Sequence, residues 1–496
     1  MLSIKGLAKD IIIYAIGNLA QRAAIFILLP LYTKTLSTSD YGLLETIFLT
    51  TQILIFVLDV GISRSILRYY SRYQDNPQSL GKLFASALTM TLVSGFIITS
   101  LSIIAKEQLS SLFFGTSQYA IIFIWALASA LLQTFNQWVF LLYRAKRQSW
   151  NYVVVSIIVL LALTTLNIIF VRYWKLGIVG VLIAQVIVYA CITLVLLPPM
   201  LKVYWKYFEF SPTIAKQLFT FGFPLIFSMS GMLVLNAFDR FFLLYYRGLV
   251  DVGIYTLSIR IAAILDLIIV TPFQLAWAPF LFGEENQDLR SLASRFFTYL
   301  LFFLAFGGIF VLLFSKEIIL FLSTGDYSAA QGIVPFTLMS MALMGIYYWA
   351  GGLVNYVEQT WKLGAIVFLA ALCNVGFNAL LTPQWGWWGA AWADMLARFI
   401  MAGVTVGVAL RQIPIKFEYR RIFSIGLVIA SIICLFYFAG ISDLDGIIGI
   451  GIKLSVLSFG LLMLLVPLRF ITQQEWKTIF GSVAMLRSKW LKRNTA

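Results

Sequence analysis

The sequence predicts an all-α integral membrane protein of about fourteen transmembrane helices, formed by two parallel six-helix repeats and two further helices. Three observations predict this fold. Of the 496 residues, 61% are hydrophobic and 11% are charged, whereas soluble domains carry about 25% charged residues. Apolar segments of about 20 residues, the length that crosses a bilayer as a helix, recur along the whole chain. Landmarks of the first half recur at a constant offset in the second half.

The apolar segments place the individual spans. The first segment follows the basic start MLSIKGLAKD and reaches spanning length without a small-residue cleavage site, so we expect a first helix and no signal peptide. The connections are short, and none has room for a soluble catalytic domain. The predicted spans are residues 11–33, 41–62, 83–104, 119–143, 151–171, 177–201, 217–238, 252–273, 296–314, 328–353, 363–382, 387–410, 422–440 and 446–468.

Lysine and arginine are distributed unevenly between the two sides of this bundle. With a cytoplasmic N-terminus, the segments on that side carry +16 and the opposite loops −1, which together give the formal net charge of +15. Cytoplasmic loops are enriched in Lys and Arg, so we expect both termini on the cytoplasmic side of the inner membrane. The charge then reflects topology and attraction to anionic lipids, with no role in nucleic-acid binding. The basic segment 487–494 is expected to lie at the membrane interface.

The repeat is recognised by its landmarks. Gly42 recurs as Gly253 and Asn167 as Asn378, both with a difference of 211 (253 − 42 and 378 − 167), and Gln-Ser-Trp at 148–150 recurs as Gln-Thr-Trp at 359–361. Because six spans are an even number, both copies begin on the same side, which is a transporter architecture. The expected domains are an N-lobe at 1–201, a cytoplasmic linker at 202–216, a C-lobe at 217–411, two added spans at 412–470 and a basic amphipathic tail at 471–496.

The composition excludes several kinds of chemistry. The chain has no histidine, so His-based acid–base catalysis, His-ligated metal sites and Ser-His-Asp chemistry are absent. Its three cysteines lie inside apolar runs and indicate no disulfide framework. We therefore expect a transporter rather than an enzyme, with no catalytic residue, no cofactor and no metal site.

Four arginines are candidates for binding an anionic substrate. Arg22 lies in the predicted first span and Arg260 in the eighth. An Arg in the middle of a span costs about 2.5–3.5 kcal/mol on insertion scales, so each needs either a substrate anion, such as phosphate, or a structural ion pair. Arg64 and Arg68 are four residues apart, hence on one helix face, at the cytoplasmic end of the second span. They form either a basic mouth for an anionic headgroup or ordinary positive-inside charge.

The acidic residues in the spans have two interpretations. Asp59 and Asp266 either carry a proton or Na⁺ or serve as partners of Arg22 and Arg260.

Asp394 and Arg398 are four residues apart in the twelfth span, which favours a structural pair that cancels its own charge. Lys453 stands isolated in the last span, where it either contacts a lipid phosphate or faces the added helices. Glu45 is expected to reach the outer interface.

Three segments resemble one transporter family. They are LDVGISRSILRYYS at 58–71, FDRFFLLYYRGLVDVGIYTLSIRIA at 238–262 and NALLTPQWGWWGAAWAD at 378–394. They resemble the Wzx-type O-antigen and lipid-linked oligosaccharide flippases, the polysaccharide transporters of the multidrug/oligosaccharidyl-lipid/polysaccharide (MOP) superfamily. The resemblance runs nearly end to end and implies a MATE-like fold.

The resemblance implies that the protein moves an undecaprenyl-diphosphate-linked glycan, such as an O-antigen, capsule or exopolysaccharide unit, from the cytoplasmic to the outer leaflet by alternating access. It implies that Arg22, Arg64 and Arg260 face the central cavity and that the last two spans form a groove for the lipid tail. Amides in the predicted first and fourth spans could contact the sugar or join helices: Gln21, Gln133, Asn136 and Gln137. A polysaccharide polymerase and chain-length machinery are possible partners.

Three alternatives stay open at the level of sequence. A cation-coupled multidrug exporter of the same superfamily would favour an acidic cavity, whereas the candidates here are weighted toward Arg. A polymerase or lipid-linked glycosyltransferase would be expected to carry a long outer loop, and the outer loops here are short. The third alternative is a non-transporting membrane component of a polysaccharide assembly complex.

Overall fold

The computed structural model describes residues 17, 25–283, 288–438, 440–441 and 446–465. Throughout these residues the secondary structure is helical, with no strand. Twelve described helices are long and apolar enough to cross a membrane, and the bent pair Pro212–Pro224 and Met229–Arg247 is a thirteenth. The short apolar helix Ile25–Thr35 lies where the first span is predicted. The fold class and the predicted second to fourteenth spans are therefore confirmed, and the chain is a multi-pass membrane protein.

We call the helices of the first half α1–α8. A single π-helical stretch, Ile168–Tyr173, extends α7. The helices are α1 (Ile25–Thr35), α2 (Thr38–Asp59), α3 (Ile62–Tyr73), α4 (Pro77–Ile104), α5 (Lys106–Phe114), α6 (Ala120–Ala145), α7 (Ser149–Asn167) and α8 (Gly177–Lys202).

The second half comprises α9–α16, and two further helices follow it. A π-helical stretch, Asp266–Val270, joins α10 to α11. The helices are α9 (Pro212–Arg247), α10 (Leu249–Leu265), α11 (Thr271–Gly283), α12 (Leu289–Leu313), α13 (Ser315–Leu322), α14 (Ala330–Tyr356), α15 (Thr360–Trp385), α16 (Trp387–Gln412), α17 (Tyr419–Phe438) and α18 (Gly446–Leu465).

The helix ends gather at two faces of the bundle. At one face the start of α9 meets α4, where the Ser211 N–H donates to Ser86 Oγ at 2.9 Å. We call this the basic face because it includes the arginines of α3, the Lys146–Arg147 turn after α6 and Arg411 at the end of α16. At the other face Arg247 Nη2 donates to the carbonyl of Pro383 at 3.0 Å. We call it the opposite face.

The backbone repeats itself at the offset found in the sequence. Arg147 and Glu358, which are 211 residues apart (358 − 147), both have positive φ, at 55° and 59°. Lys175 and Gly386, again 211 apart (386 − 175), have φ of 53° and 57°. Because non-glycine residues rarely adopt positive φ, the recurrence of two such turns at one offset is a strong sign of internal repetition.

The two halves cross closely near the opposite face, where α2 meets α10. A Cβ added to Gly42 would lie 1.9 Å from the carbonyl oxygen of Leu249, and one added to Gly253 would lie 2.4 Å from that of Thr38. Thr38 and Leu249 are themselves 211 residues apart (249 − 38), so the repeat-related residues meet each other. Glycines at such a crossing let two membrane helices approach backbone to backbone. We call this contact the α2–α10 crossing.

A second contact between the halves lies near the basic face, where α3 meets the first part of α9. Ser65 Oγ donates to the carbonyl of Leu218 at 2.8 Å, and Tyr73 OH donates to Gln217 Oε1 at 2.9 Å. Gly61 and Gly222 leave no room for a Cβ at this place, since each would meet backbone atoms of the other within 2.6 Å. We call it the α3–α9 contact. The space between the halves is therefore bounded at both ends.

We predict that Gly42→Ala destabilises the fold, because the added methyl would overlap the Leu249 carbonyl and separate α2 from α10. The expected loss is about 1–3 kcal/mol, measured by thermal unfolding of the purified protein in detergent. Gly308→Ala in α12 is the matched control, because a Cβ there meets nothing within 4 Å. Equal melting temperatures for the two variants would contradict the close crossing.

Candidate functional site

One face of α2 follows the space between the halves. Gly42 lies at the α2–α10 crossing, and Glu45, Gln52 and Asp59 follow it toward the basic face. Their spacings of three and seven residues keep them on one side of a helix. From Glu45 to Asp59 this side covers about 21 Å at a rise of about 1.5 Å per residue. A polar stripe therefore runs through the interior of an apolar bundle.

The deep end of the stripe is a buried ion pair between the halves. Arg260 of α10 donates to Glu45 through Nη2 at 2.8 Å and through Nε at 3.3 Å. Arg240 of α9 places Nη1 3.8 Å from the same carboxylate. The Glu45 side chain is 3% exposed and that of Arg260 20%. One carboxylate thus holds two guanidinium groups of the other half, directly beneath the α2–α10 crossing.

The expectation that Glu45 reaches the outer interface is wrong. α2 begins at Thr38, so Glu45 lies two turns inside the helix, on the side that faces α10. The partner of Arg260 is therefore Glu45, and neither Asp59 nor Asp266 takes that place.

A cavity of about 420 Å³ lies farther along the stripe, between α2, α3 and α6 of one half and α9 of the other. We call it the central cleft. Arg64 is exposed and lines it, close to Asp59. Asp59 accepts hydrogen bonds from the Ser63 N–H at 3.2 Å and from Ser63 Oγ. The lining residues are Gln52, Ile55, Phe56, Asp59, Gly61, Ser63, Arg64, Gln137, Ile226, Met229, Met232 and Leu233.

The other predicted arginines have different positions. Arg68 does not line the central cleft: its guanidinium lies 4.1 Å from the centre of the Phe221 ring, across the α3–α9 contact. Arg22 lies outside the described residues, and so does Gln21. Asp266 begins the π-helical stretch after α10 and accepts from Thr271 Oγ1 at 3.3 Å. The structure therefore brings Arg64 and Asp59 together in the cleft and places Arg68 and Asp266 elsewhere.

A second, smaller cavity of about 260 Å³ lies between α1, α2, α6, α7 and α8 of the first half, with Arg260 of α10 at its edge. We call it the amide pocket, because Gln52, Gln133, Gln185 and Asn167 line it. Gln52 also lines the central cleft, so the two cavities adjoin at this residue. Glu45 and Arg260 lie at its wall.

The second half contains its own buried polar cluster. Arg398 Nε donates to Asp394 Oδ1 at 2.7 Å, which is the pair that the i,i+4 spacing predicts. Arg398 Nη2 also donates to Asn236 Oδ1 of α9 at 3.1 Å. The cluster thereby ties α16 to α9 as well as neutralising Asp394.

Asp239 is the further carboxylate of this cluster. It accepts from Asn374 Nδ2 at 2.9 Å and Asn378 Nδ2 at 2.8 Å, and both amides lie on α15.

Asp239 and Arg240 are the buried charges that the sequence analysis missed. The predicted seventh span ends at residue 238, whereas α9 continues to Arg247 and ends at Gly248, which has φ 92°. The prediction therefore placed both residues in an outer loop. The apolar run FFLLYY after them and the glycine at 248 were the available signals that the helix continues.

The expectation for Lys453 also needs correction. It is fully buried in α18, and its Nζ lies 2.5 Å from Glu317 Oε1 of α13. In the sequence Lys453 has no evident partner, because Glu317 lies in a predicted loop between two spans. The pair attaches α18 to the opposite-face end of the second half.

The last two helices enclose a third cavity. It measures about 450 Å³ and is lined almost entirely by apolar side chains of α17 and α18, among them Leu427, Ile432, Leu435, Phe459 and Met463. We call it the α17–α18 groove.

Within the described residues, no group of three or more Asp, Glu or Cys side chains is arranged to hold a metal ion.

We predict that Glu45→Gln lowers the free energy of unfolding by about 3–5 kcal/mol, because it leaves two guanidinium groups without a buried counter-ion. Thermal unfolding in detergent measures this. The control is Glu209→Gln, which breaks the exposed pair with Lys82 (3.1 Å) and should cost about 0–1 kcal/mol. If both variants unfold at the same temperature, Glu45 is not the support of this interface.

Comparison with solved structures identifies the fold. A structure described as the lipid II flippase MurJ in an inward closed conformation superposes with a TM-score of 0.73 at 15% identity, over 91% of this chain and 98% of that one. An inward-facing multidrug resistance MATE family transporter of the MOP superfamily gives a TM-score of 0.65 at 17% identity, over 80% and 94%. The chain therefore has the MurJ- and MATE-like fold.

Sequence comparison identifies the family. An uncharacterized membrane protein of Haemophilus influenzae is 25% identical over 378 residues, which are 74% of this chain and 88% of that protein. The polysaccharide biosynthesis protein family matches residues 7–284, more than half of the chain. The protein with this stripe of buried charge between two helical halves belongs to the polysaccharide biosynthesis protein family.

Proposed function

We propose that the protein is a flippase for an undecaprenyl-diphosphate-linked oligosaccharide, which it moves from the cytoplasmic to the outer leaflet by alternating access. The observation that carries the proposal is the polar stripe that leads from Arg64 to Arg260 through an apolar bundle. Family membership and the MurJ-like fold support it. Concentrated guanidinium charge in a water-poor space suits a diphosphate, which Arg binds through two parallel hydrogen bonds.

In this proposal, the substrate phosphates contact the arginines in sequence. Arg64 is exposed in the central cleft and has no carboxylate bound to it among the described residues, so it is free to receive the diphosphate first. Arg260 is engaged by Glu45 through Nε and Nη2, and a phosphate that binds this edge of the guanidinium replaces that carboxylate. Arg22 and Arg68 remain candidates for the same path.

Exchange of Glu45 for phosphate would link binding to movement. Glu45 lies on α2, whereas Arg240 and Arg260 lie on α9 and α10, so loss of the pair removes an attraction between the halves. The α2–α10 crossing could then open while the α3–α9 contact stays closed. This sequence of events is alternating access. Asp59 and Asp266 remain candidates for carrying a coupling proton or Na⁺.

The lipid tail has a place of its own in the proposal. A polyprenyl chain is apolar and can stay within the bilayer while the headgroup crosses. The α17–α18 groove is apolar and has a volume of about 450 Å³, and the Lys453–Glu317 pair holds α18 against the rest of the protein.

The orientation and the organisation in lobes are part of the same proposal. The basic face would be cytoplasmic in the inner membrane, according to the distribution of Lys and Arg. The halves α1–α8 and α9–α16 would act as the N-lobe and C-lobe, joined by the stretch at 202–216. A polysaccharide polymerase would receive the glycan on the outer side.

The first test is flipping of a fluorescent undecaprenyl-diphosphate oligosaccharide by the protein reconstituted in proteoliposomes. Arg260→Gln and Arg64→Gln should each slow flipping by about 10–100-fold, the value of a hydrogen bond to a charged group. Arg72→Gln is the matched control, because Arg72 is exposed on α3 and does not line the cleft.

A fluorescent organic cation serves as the second cargo in this assay. Cation transport that depends on an ion gradient and is unaffected by the Arg substitutions would contradict the proposal and favour a multidrug exporter.

The groove is tested with a bulky residue. Ser455→Trp should fill the α17–α18 groove and slow flipping of the long-chain substrate at least several-fold, with less effect on a short-chain analogue. Leu462→Trp is the control, since Leu462 is exposed on the same helix but does not line the groove. Equal rates for the two variants would remove the groove from the transport path.

A further inference from the structure

The amide pocket differs in chemistry from the central cleft. Its polar lining consists of uncharged amides and phenols: Gln52, Gln133, Gln185, Asn167, Tyr32 and Tyr189. Its charged residues are Glu45 and Arg260, and these neutralise each other. Among the described residues, a ligand inside the pocket would therefore meet uncharged hydrogen-bonding groups and the Glu45–Arg260 pair.

Hydrogen bonds within the wall fix some of these groups. Tyr32 OH donates to Asn167 Oδ1 at 2.9 Å, and Asn167 Nδ2 donates to the carbonyl of Leu163 at 2.7 Å. Both side chains are buried. Together they form a rigid wall that connects α1 to α7.

The glutamines keep unused hydrogen-bonding capacity. Ser129 Oγ donates to Gln185 Oε1, and Gln133 Nε2 donates to Ser129 Oγ, both at 2.9 Å. Within the described part of the chain, the Gln185 Nε2 donors and the Gln133 Oε1 acceptor have no partner. The serine therefore orients the two amides, so that one offers donors and the other an acceptor.

The size of the pocket limits what it can hold. At about 30 Å³ for each water in the liquid, its 260 Å³ correspond to about nine waters. That space matches one sugar ring, and a longer glycan would have to extend into the adjoining central cleft. Hydroxyl groups both donate and accept, as the paired glutamines require, and the faces of Tyr189 and Phe48 supply apolar wall for the C–H side of a ring.

We propose that the amide pocket is a subsite for one uncharged sugar ring, the ring bonded to the diphosphate of the lipid. This inference rests on the proposed flippase function. Arg260 lines the pocket, so a ring attached to a phosphate at Arg260 would extend into it. An acidic ring is disfavoured, because its carboxylate would be buried beside Glu45 with no free cation among the described residues that line the pocket. The remaining sugars would occupy the central cleft past Gln52.

The test uses three cargoes with the same short polyprenyl diphosphate: without sugar, with one N-acetylhexosamine, and with one hexuronic acid. In proteoliposomes the wild type should flip the neutral cargo at least several-fold faster than the acidic one. Gln185→Leu should slow the neutral cargo by about tenfold, the value of one or two lost hydrogen bonds, and leave the sugar-free cargo unchanged. Gln185→Lys should reverse the preference toward the acidic ring. Gln118→Leu, on the exposed opposite face, is the control.

Two results would overturn the subsite: equal rates for neutral and acidic rings in the wild type, or equal slowing of all three cargoes by Gln185→Leu. If no cargo crosses, the flippase proposal fails, and calorimetric binding of the water-soluble N-acetylhexosamine diphosphate decides on the subsite separately. About tenfold weaker binding to Gln185→Leu than to the wild type would support it, and equal affinity would overturn it.

Discussion

The structure depends on one buried carboxylate. Glu45 holds Arg260 and, at a longer distance, Arg240 of the other half, in an interior where an unpaired guanidinium would be costly. The backbone crossing at Gly42 and Gly253 brings α2 and α10 close enough for this contact. The two features depend on each other: the glycines permit the close approach of α2 and α10, and the ion pair stabilises it electrostatically. A substrate anion can replace the carboxylate of such an ion pair, whereas it could not replace an apolar contact between the halves.

The cavities beside this ion pair differ in the charge of the side chains that line them. The central cleft carries Arg64 and an exposed polar wall, the amide pocket carries neutral amides, and the ion pair separates both from the opposite face. The cluster of Asp239, Asn374, Asn378, Asp394 and Arg398 braces α9, α15 and α16 behind it. The charged groups of this cluster are thus bound to one another within the second half, whereas the charged groups of α2 face the cavities.

The sequence predicts much of the fold, because hydropathy and repeats are local or periodic signals. Thirteen spans and the offset of 211 residues follow from them. Ion-pair partners that are distant in sequence do not, since Glu45 and Arg260 are 215 residues apart and no local pattern links them. Asp239 and Arg240 were missed because α9 runs nine residues past the predicted end of its span (247 − 238). A helix boundary misplaced by two turns moved two buried charges into a loop.

The distance between the halves at the opposite face would show whether substrate opens the α2–α10 crossing. Spin labels at Gln108 of α5 and Tyr245 of α9, both exposed, report it in a variant without the three native cysteines. Pulsed dipolar spectroscopy in nanodiscs would compare the protein alone with the protein saturated by undecaprenyl-diphosphate glycan. We expect the substrate to add a longer distance, as the α2–α10 crossing opens. An unchanged distance distribution under conditions where the glycan is flipped would contradict it.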